Sequence, residues 1–153
     1  MADVFISYAL RSAGGIADQI CGVLAEKGIS CWYAGKDMKP GDFAGSISRA
    51  IRECRIFLLI LDKGAFQSAH VESEIALVFR RIVNYENVTL LPFRVENFDL
   101  SASSWAPYYL GRCQIVDGCP PDARHIQDLG KRIARLLGRE KNPPEFCRAS
   151  EQF

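Results

Sequence analysis

The amino-acid sequence predicts one α/β domain in which a five-stranded parallel sheet carries helices on both faces. Two observations predict this fold. Short apolar runs typical of strands alternate five times with segments whose apolar residues recur at helical spacing. The third run, Ile56 to Leu61, also contains no polar residue, as expected for a strand buried on both faces. A length of 153 residues, 48% of them hydrophobic, suits a single core of this kind.

The first two strands and the helix between them follow from apolar patterns and a glycine stop. Val4 to Ile6 is a short apolar run, and the next apolar residues recur at helical spacing: Ile16, Ile20, Val23 and Leu24. Gly28 is expected to end that helix, because glycine accepts the left-handed conformation found at helix C-termini. Ile29 to Tyr33 is a second strand, rich in aromatic and β-branched residues. The glycines and the proline of Ala34 to Asp42 then predict a loop.

Three further units complete the predicted domain. Their helices carry apolar stripes at Phe43–Cys54, Val71–Ile82 and Ile126–Leu137, and their strands are Ile56–Leu61, Val88–Phe93 and Cys113–Val116. Pro92 has no N–H to donate to a sheet, so the fourth strand is expected to end there or to lie near an edge. Residues 139–153 are polar and lack a period, which predicts a tail or the start of a linker after a domain that spans residues 1–138.

Composition argues against several classes of function. The net charge of +1 provides no basic surface for nucleic acid. No apolar run approaches the roughly 20 residues of a membrane span, and the N-terminus does not resemble a signal peptide. The six cysteines form no C-x-x-C pair, and only two histidines could join them, so no metal site is predicted. Reduced thiols and a cytoplasmic location fit this cysteine pattern.

The common nucleotide-binding signatures are also missing. GxGxxG does not follow the first strand, and GxxxxGK[ST] does not occur. A phosphorelay receiver shares the order of strands and helices, but it requires an acidic pair after the first strand and an aspartate at the end of the third. Asp62 meets the second requirement, whereas the first position offers only Asp3, which precedes the strand. A receiver is therefore disfavoured.

Two glutamates on the third predicted helix differ in their expected position. The buried stripe of that helix consists of Val71, Ile75, Val78 and Ile82. At about 100° per residue, Glu72 and Glu74 fall on opposite borders of the stripe, so they cannot act together as an acid/base pair. Glu74 shares its border with His70, toward the helix N-terminus, which faces the loops that follow the strands. Ligand crevices of parallel sheets form at that edge. Glu74 is therefore the candidate functional residue; the alternative is a boundary glutamate paired with Arg81.

Four segments of the chain resemble a Toll/interleukin receptor (TIR) domain. They are DVFISYA from Asp3, GISCWYAGKDMKPGDFAGSISRAI from Gly28, RIFLLILDKGAFQSAHVESEIA from Arg55, and the region from Trp105 to Leu137, which is similar to the stand-alone or fused TIR domains of bacteria. The resemblance implies a flavodoxin-like, three-layer α/β fold with strand order 2-1-3-4-5. This agrees with the alternation of strands and helices.

The resemblance also implies an activity, the cleavage of the nicotinamide–ribose bond of NAD. In catalytic TIR domains the third helix carries an essential glutamate, onto which Glu74 falls, and His70 stands where a tryptophan is usual. A carboxylate beside the ribose can stabilise the positive charge that develops there, and nicotinamide leaves as a neutral molecule. No metal or cofactor is then required, and NAD is the substrate.

Two roles are open at this point. An enzyme of this family would deplete NAD or make an ADP-ribose-derived signal, here in bacterial antiphage immunity. A non-catalytic adaptor would act through TIR–TIR assembly alone. Glu74 favours the enzyme, and the missing tryptophan at His70 favours the adaptor.

Five other residues are implied as substrate contacts. Tyr8 and Arg11 follow the first strand, and Arg11 in the loop suits the pyrophosphate as a donor fork, unless it is simply solvated. Trp32 ends the second strand, where it suits either the adenine ring or the core. Lys36 and Asp37 lie in the predicted loop and suit substrate or partner contacts.

The segment from Ala34 to Asp42 corresponds to the family's BB loop. Through it we expect self-association or contact with other TIR domains. A sensor domain after Pro144, or a separate partner protein, is a further expectation from the family.

Overall fold

The computed structural model describes residues 2–34, 44–138 and 147–148. The predicted loop at Ala34 to Asp42 lies outside the described residues except for Ala34, and so does most of the predicted tail. The strands in these ranges are β1 (Val4–Ser7), β2 (Cys31–Trp32), β3 (Ile56–Leu61), β4 (Thr89–Arg94), β5 (Val116–Asp117) and β6 (Cys147–Arg148). The α-helices are α1 (Leu10–Glu26), α2 (Ala44–Glu53), α3 (Lys63–Phe66), α4 (Ala69–Val83), α5 (Ala106–Leu110) and α6 (Ala123–Leu136).

The parallel strands lie in the order β2-β1-β3-β4-β5. This confirms the predicted flavodoxin-like topology with helices on both faces. β1 aligns with β3 over its whole length, so that Ser7 lies opposite Leu59. The two residues of β6 pair antiparallel with Thr89 and Leu90 of β4. The domain boundary at residue 138 stays a prediction.

The central strand β3 separates two layers of core. Its even-numbered residues pack with α1 and α6, and its odd-numbered residues pack with α2, α4 and α5. All six β3 residues are at most 1% exposed. This burial on both faces is the physical reason why the run from Ile56 to Leu61 contains no polar residue.

The position of α4 on the sheet is fixed by its apolar stripe and its first turn. Val71, Ile75, Val78 and Ile82 are fully buried, as predicted from their spacing. The side chain of Ser68 accepts a hydrogen bond from the N–H of Val71 at 3.2 Å, which caps the helix. The stripe sets the rotation of α4 about its axis and the cap sets where the helix begins.

Several element boundaries differ from the predictions. α1 begins at Leu10, well before the apolar stripe of that helix. β2 covers two residues rather than five; after Gly28 (φ +71°), the N–H of Ile29 donates to the carbonyl oxygen of Leu24 in α1 at 2.9 Å. The helix α5 occupies a segment that reads as polar and irregular in sequence. Ser103 caps it by accepting hydrogen bonds from the N–H groups of Trp105 and Ala106.

Of the two alternatives predicted for the fourth strand, the one that ends it at Pro92 is wrong, whereas β4 does lie near an edge, next to the outermost strand β5. β4 continues to Arg94 and pairs with β3 along its whole length, with Pro92 opposite Leu59. On its other side, β5 aligns with β4 from Phe93 onward, and β6 aligns with Thr89 and Leu90. Pro92 therefore lies between these two aligned stretches. On this side of β4 its missing N–H interrupts no pairing between strands.

The chemical character of the described residues can be stated briefly. Cys21, Cys31, Cys54 and Cys119 are free thiols. Cys113 is disulfide-bonded, which departs from the expectation of reduced thiols throughout. Among the described residues no group of three or more histidine, cysteine or acidic side chains could hold a metal ion. In the same ranges no helix combines the length and the apolar character that crossing a membrane requires.

Arg81 holds α4 against the end of α2. Its Nη1 donates to the carbonyl oxygens of Ile51 and Cys54, at 2.8 and 2.5 Å, and its Nε lies 3.0 Å from a carboxylate oxygen of Glu86. These bonds satisfy carbonyl groups that the C-terminus of a helix leaves without partners. Arg81 is therefore engaged with α2 and Glu86 rather than with Glu74.

We expect Arg81→Leu to lower the free energy of unfolding by about 2 kcal/mol, because hydrogen bonds from a charged donor to two buried carbonyls are lost. The matched control is Arg80→Leu, which changes the exposed neighbour and should cost less than about 0.5 kcal/mol. Urea denaturation of both variants measures the difference. Equal losses would contradict the capping role of Arg81.

Candidate functional site

A cleft of about 590 Å³ lies at the carboxyl ends of β1 and β3. Residues 8–12, from the end of β1 and the first turn of α1, form one side, and residues 67–70, at the start of α4, form the other. Gly64 of α3 completes the lining. The strand order reverses between β1 and β3, so the cleft occupies the topological switch point at which ligands bind in open α/β sheets.

A second, smaller pocket of about 30 Å³ adjoins this cleft and contains Glu74. Tyr8, Leu10 and His70 line both spaces. Trp32 from β2 and Ile47 from α2 close the small pocket on the other sides. Its volume suits about one water molecule. Glu74 thus lies behind three side chains at the inner end of the larger cleft.

The carboxylate of Glu74 accepts a hydrogen bond from the hydroxyl of Ser7, with 2.7 Å between Oγ and Oε1. Ser7 is the last residue of β1 and is 1% exposed, whereas Glu74 is partly buried. Burial raises the pKa of Glu74 from 4.5 to about 7, and the hydrogen bond from Ser7 opposes that rise. The carboxyl can therefore exist in either protonation state near neutral pH.

The two glutamates of α4 have the different surroundings that their spacing predicts. Glu72 is exposed on one border of the stripe, and Glu74 is partly buried on the other. The alternative pairing of Glu74 with Arg81 is not seen, since Arg81 contacts α2 and Glu86. An ion pair with Arg81 therefore does not account for the position of Glu74.

Two aromatic candidates combine packing with exposure to the site. Tyr8 is buried and lines both spaces, with its ring 6.1 Å from that of Tyr33. Trp32 stacks on Phe5, with ring centroids 5.1 Å apart and planes at 10°. The indole also borders the small pocket, so Trp32 belongs to the core and to the site at once.

The charged candidates are either exposed in the crevice or lie outside the described residues. His70 is exposed and lines both spaces. Arg11 is exposed and lines the larger cleft, but it belongs to the first turn of α1 and not to a loop, so that part of the prediction is wrong. Lys36 and Asp37 lie outside the described residues.

Sequence reasoning missed four residues of the site. Ser7 bonds Glu74, Leu10 and Ile47 line the small pocket, and Gly64 allows α3 to approach α1. A Cβ atom at Gly64 would lie 2.5 Å from Oγ of Ser12, so a larger residue would displace the side of the cleft. Ser7 alone had a detectable signal, because it is a polar residue directly after the first apolar run.

The strand order and the crevice between β1 and β3 define a flavodoxin-like domain with a cleft at its switch point, where folds of this class bind ligands. Within that class, the chain belongs to the TIR domain family, whose model matches residues 4–130. No curated protein sequence matches the chain.

Solved structures with a similar fold include TIR domains from metazoans and from a resistosome. The TIR domain of the Toll-related receptor TRR-2 from Hydra magnipapillata has a TM-score of 0.67 at 20% identity, and the match covers 87% of this chain and 98% of that domain. A TIR-STING receptor from C. gigas in complex with 2′,3′-cGAMP has a TM-score of 0.69 at 17% identity, with 95% of this chain and 41% of the receptor covered. The chain thus spans less than half of that receptor.

The TIR domains of the activated Roq1 resistosome, which directly recognises the pathogen effector XopQ, give a TM-score of 0.58 at 18% identity. That match covers 88% of this chain and 84% of the Roq1 chain. At these identities the likeness extends to the fold alone.

The raised pKa of Glu74 predicts a cost in stability that depends on pH. The folded protein holds this proton more tightly than the unfolded chain does. The stabilising contribution of the bound proton is therefore fully present below about pH 4.5 and is lost as pH rises through about 7. Such a shift corresponds to roughly 3 kcal/mol, and partial exposure reduces this to about 2 kcal/mol. The difference in free energy of unfolding between Glu74→Gln and wild type should favour the variant more at about pH 8 than at about pH 4.5. We expect the two differences to be separated by about 2 kcal/mol.

Urea denaturation at both pH values measures the effect, and Glu72→Gln is the matched control. Solvent screens the exposed Glu72 carboxylate, so its variant should show nearly the same difference from wild type at both pH values. Parallel behaviour of the two variants would contradict the burial of Glu74.

Proposed function

We propose that the chain is an NAD-cleaving TIR domain that breaks the bond between nicotinamide and ribose. One observation carries the proposal. The Glu74 carboxylate is partly buried at the ligand-binding edge of the sheet, and it is oriented by the Ser7 hydroxyl rather than by the arginine on its own helix. A charge kept in such a place destabilises the fold, and groups with strongly shifted pKa values concentrate at functional sites.

The chemistry requires one negative charge beside the ribose. As the glycosidic bond lengthens, its electron pair moves onto the pyridinium nitrogen, nicotinamide becomes neutral, and the ribose becomes an oxocarbenium-like cation. The Glu74 carboxylate would accept hydrogen bonds from ribose hydroxyls and stabilise this cation. Oε1 is held by Ser7, so Oε2 is the atom available to the substrate. Water or another nucleophile then completes the reaction.

The larger cleft suits the rest of the dinucleotide. Its volume of about 590 Å³ lies in the usual range of ligand sites. The first turn of α1 contains no acidic residue, and Ala9 provides no side-chain cap, so no capping side chain would compete with an anion at the start of this helix. Arg11 would add a charged donor to the pyrophosphate in the same turn.

Entry of the nicotinamide end requires movement at the inner pocket. About 30 Å³ beside Glu74 is too small for a pyridine ring. Leu10 is 56% exposed, so rotation of its side chain, together with movement of the exposed His70, would join the pocket to the cleft. In this arrangement His70 takes the position beside the nicotinamide ring, and Trp32 provides an aromatic face from β2.

The biological setting that we propose is immune signalling in the cytoplasm, with antiphage defence as the bacterial case. Assembly through the segment from Ala34 to Asp42, with a second copy or another TIR domain, would bring this loop to the crevice, because Ala34 already lines the small pocket. A sensor domain or a partner protein would control that assembly. The product would be ADP-ribose or a derived signal.

We expect Glu74→Gln to lower NAD cleavage by about 100-fold or more, because the amide carries no charge to stabilise the ribose cation. Glu72→Gln should stay within about twofold of wild type, since Glu72 is exposed on the opposite border of the stripe. NAD is incubated with high concentrations of each protein, which favours assembly, and mass spectrometry identifies nicotinamide and the ADP-ribose product.

Two outcomes would contradict the proposal. Equal losses in both folded variants would remove Glu74 from the reaction. Intact NAD with wild-type protein at every concentration would favour the adaptor, a TIR domain that acts by assembly alone.

A further inference from the structure

The hydrogen bond between Ser7 and Glu74 joins two elements that are distant in sequence and adjacent at the site. Ser7 ends β1, and Glu74 lies in the second turn of α4. The hydroxyl is buried and the donor–acceptor distance is 2.7 Å, short enough for a strong bond to a charged acceptor. We propose that Ser7 is a positioning residue for NAD cleavage, which orients the Glu74 carboxylate by holding Oε1 and leaves Oε2 toward the substrate. This inference rests on the proposed function and deepens it.

The backbone around Ser7 makes its hydroxyl a fixed reference point. β1 is paired on both sides, with β2 at Val4 and Phe5 and with β3 as far as Ser7 itself. A serine at the end of such a strand has little freedom to move relative to the sheet. Glu74 has three rotatable side-chain bonds, so a single bond to a rigid donor removes most of its freedom before substrate arrives.

The same bond favours the charged form of the carboxyl. Burial raises the pKa of Glu74 to about 7, and the hydrogen bond from Ser7 lowers it. Only the ionised form can stabilise a ribose cation, so the loss of the hydroxyl would reduce the reactive fraction near neutral pH.

Several elements contribute side chains around Glu74. In the described part of the chain, the titratable side chains lining the small pocket with Glu74 are Tyr8, from the end of β1, and His70, one turn earlier on α4. The neighbouring elements present uncharged side chains there: Leu10 from α1, Trp32 from β2 and Ile47 from α2. Arg11 lines the larger cleft and not the small pocket. Because His70 lines the same pocket as Glu74, the test is repeated with His70→Asn as background.

The test compares Ser7→Ala with Ser103→Ala, which removes another buried serine hydroxyl that lines neither the cleft nor the small pocket. The Glu74 carboxyl is followed by ¹³C NMR during a pH titration, with its signal assigned by its absence in Glu74→Gln. We expect Ser7→Ala to move the titration midpoint of Glu74 upward by about one pH unit, since a hydrogen bond to a charged group is lost. Ser103→Ala should leave the midpoint unchanged while lowering stability through the lost cap of α5.

The rate of NAD cleavage provides the second readout. A shift of about one unit should make the rate loss of Ser7→Ala roughly fivefold larger near pH 7 than near pH 9, and the loss that remains near pH 9 measures the lost orientation of the carboxylate. Ser7→Thr retains the hydroxyl and should keep the wild-type midpoint in both measurements. A general loss of structure would lower the rate by the same factor at every pH and leave the midpoint unshifted.

The outcomes separate this inference from the proposed function. An unchanged Glu74 midpoint in Ser7→Ala, with NAD still cleaved as in wild type, would overturn the role of Ser7 alone. Intact NAD with the wild-type protein would overturn the proposed function, and the role of Ser7 in that reaction with it.

Discussion

The packing of the α4 stripe on the sheet determines the position of the α4 side chains in the crevice. Four fully buried side chains, spaced along one face of α4, contact the layer formed by Phe5 and the odd-numbered residues of β3. Because this face cannot turn toward solvent without exposing all four, the rotation of α4 is fixed. One border of the stripe then faces the ends of β1 and β3, and the other faces water. The difference between Glu74 and Glu72 is a consequence of that rotation.

The packing that places Glu74 in the crevice also costs the folded state free energy. The border of a buried stripe is a poor place for a carboxylate, and the raised pKa expresses the free energy lost by desolvating it. A glutamine or a leucine at this position would not carry the free-energy cost of desolvating a charge. The hydrogen bond from Ser7 offsets part of the loss and directs the carboxylate into the crevice. Stability and the proposed chemistry thus make opposite demands on one side chain.

Predictions from sequence succeeded where the signal was periodic and local. The order of strands and helices, the stripe of α4 and the stop at Gly28 all follow from spacing or from a single residue's backbone preference. The resemblance to TIR domains added the strand order, which periodicity alone does not give.

The errors and omissions share a different cause, which is contact between residues far apart in sequence. Pro92 is tolerated inside β4 because two other strands leave a gap beside it. The role of Arg81 depends on carbonyl groups of α2, 27 and 30 residues away. Ser7 bonds Glu74 across 67 residues, so no local pattern could have paired them. α5 was missed because its helix is short and its cap, Ser103, stands among other polar residues.

The central claim is that Glu74 meets the ribose of NAD through the oxygen that Ser7 leaves available. A crystal structure with a non-cleavable NAD analogue tests it most directly. The account predicts the ribose hydroxyls of the nicotinamide half within hydrogen-bond distance of Oε2 of Glu74, Ser7 still on Oε1, and the pyrophosphate at the first turn of α1. An analogue bound with its nicotinamide half away from Glu74, or outside the crevice between β1 and β3, would contradict it.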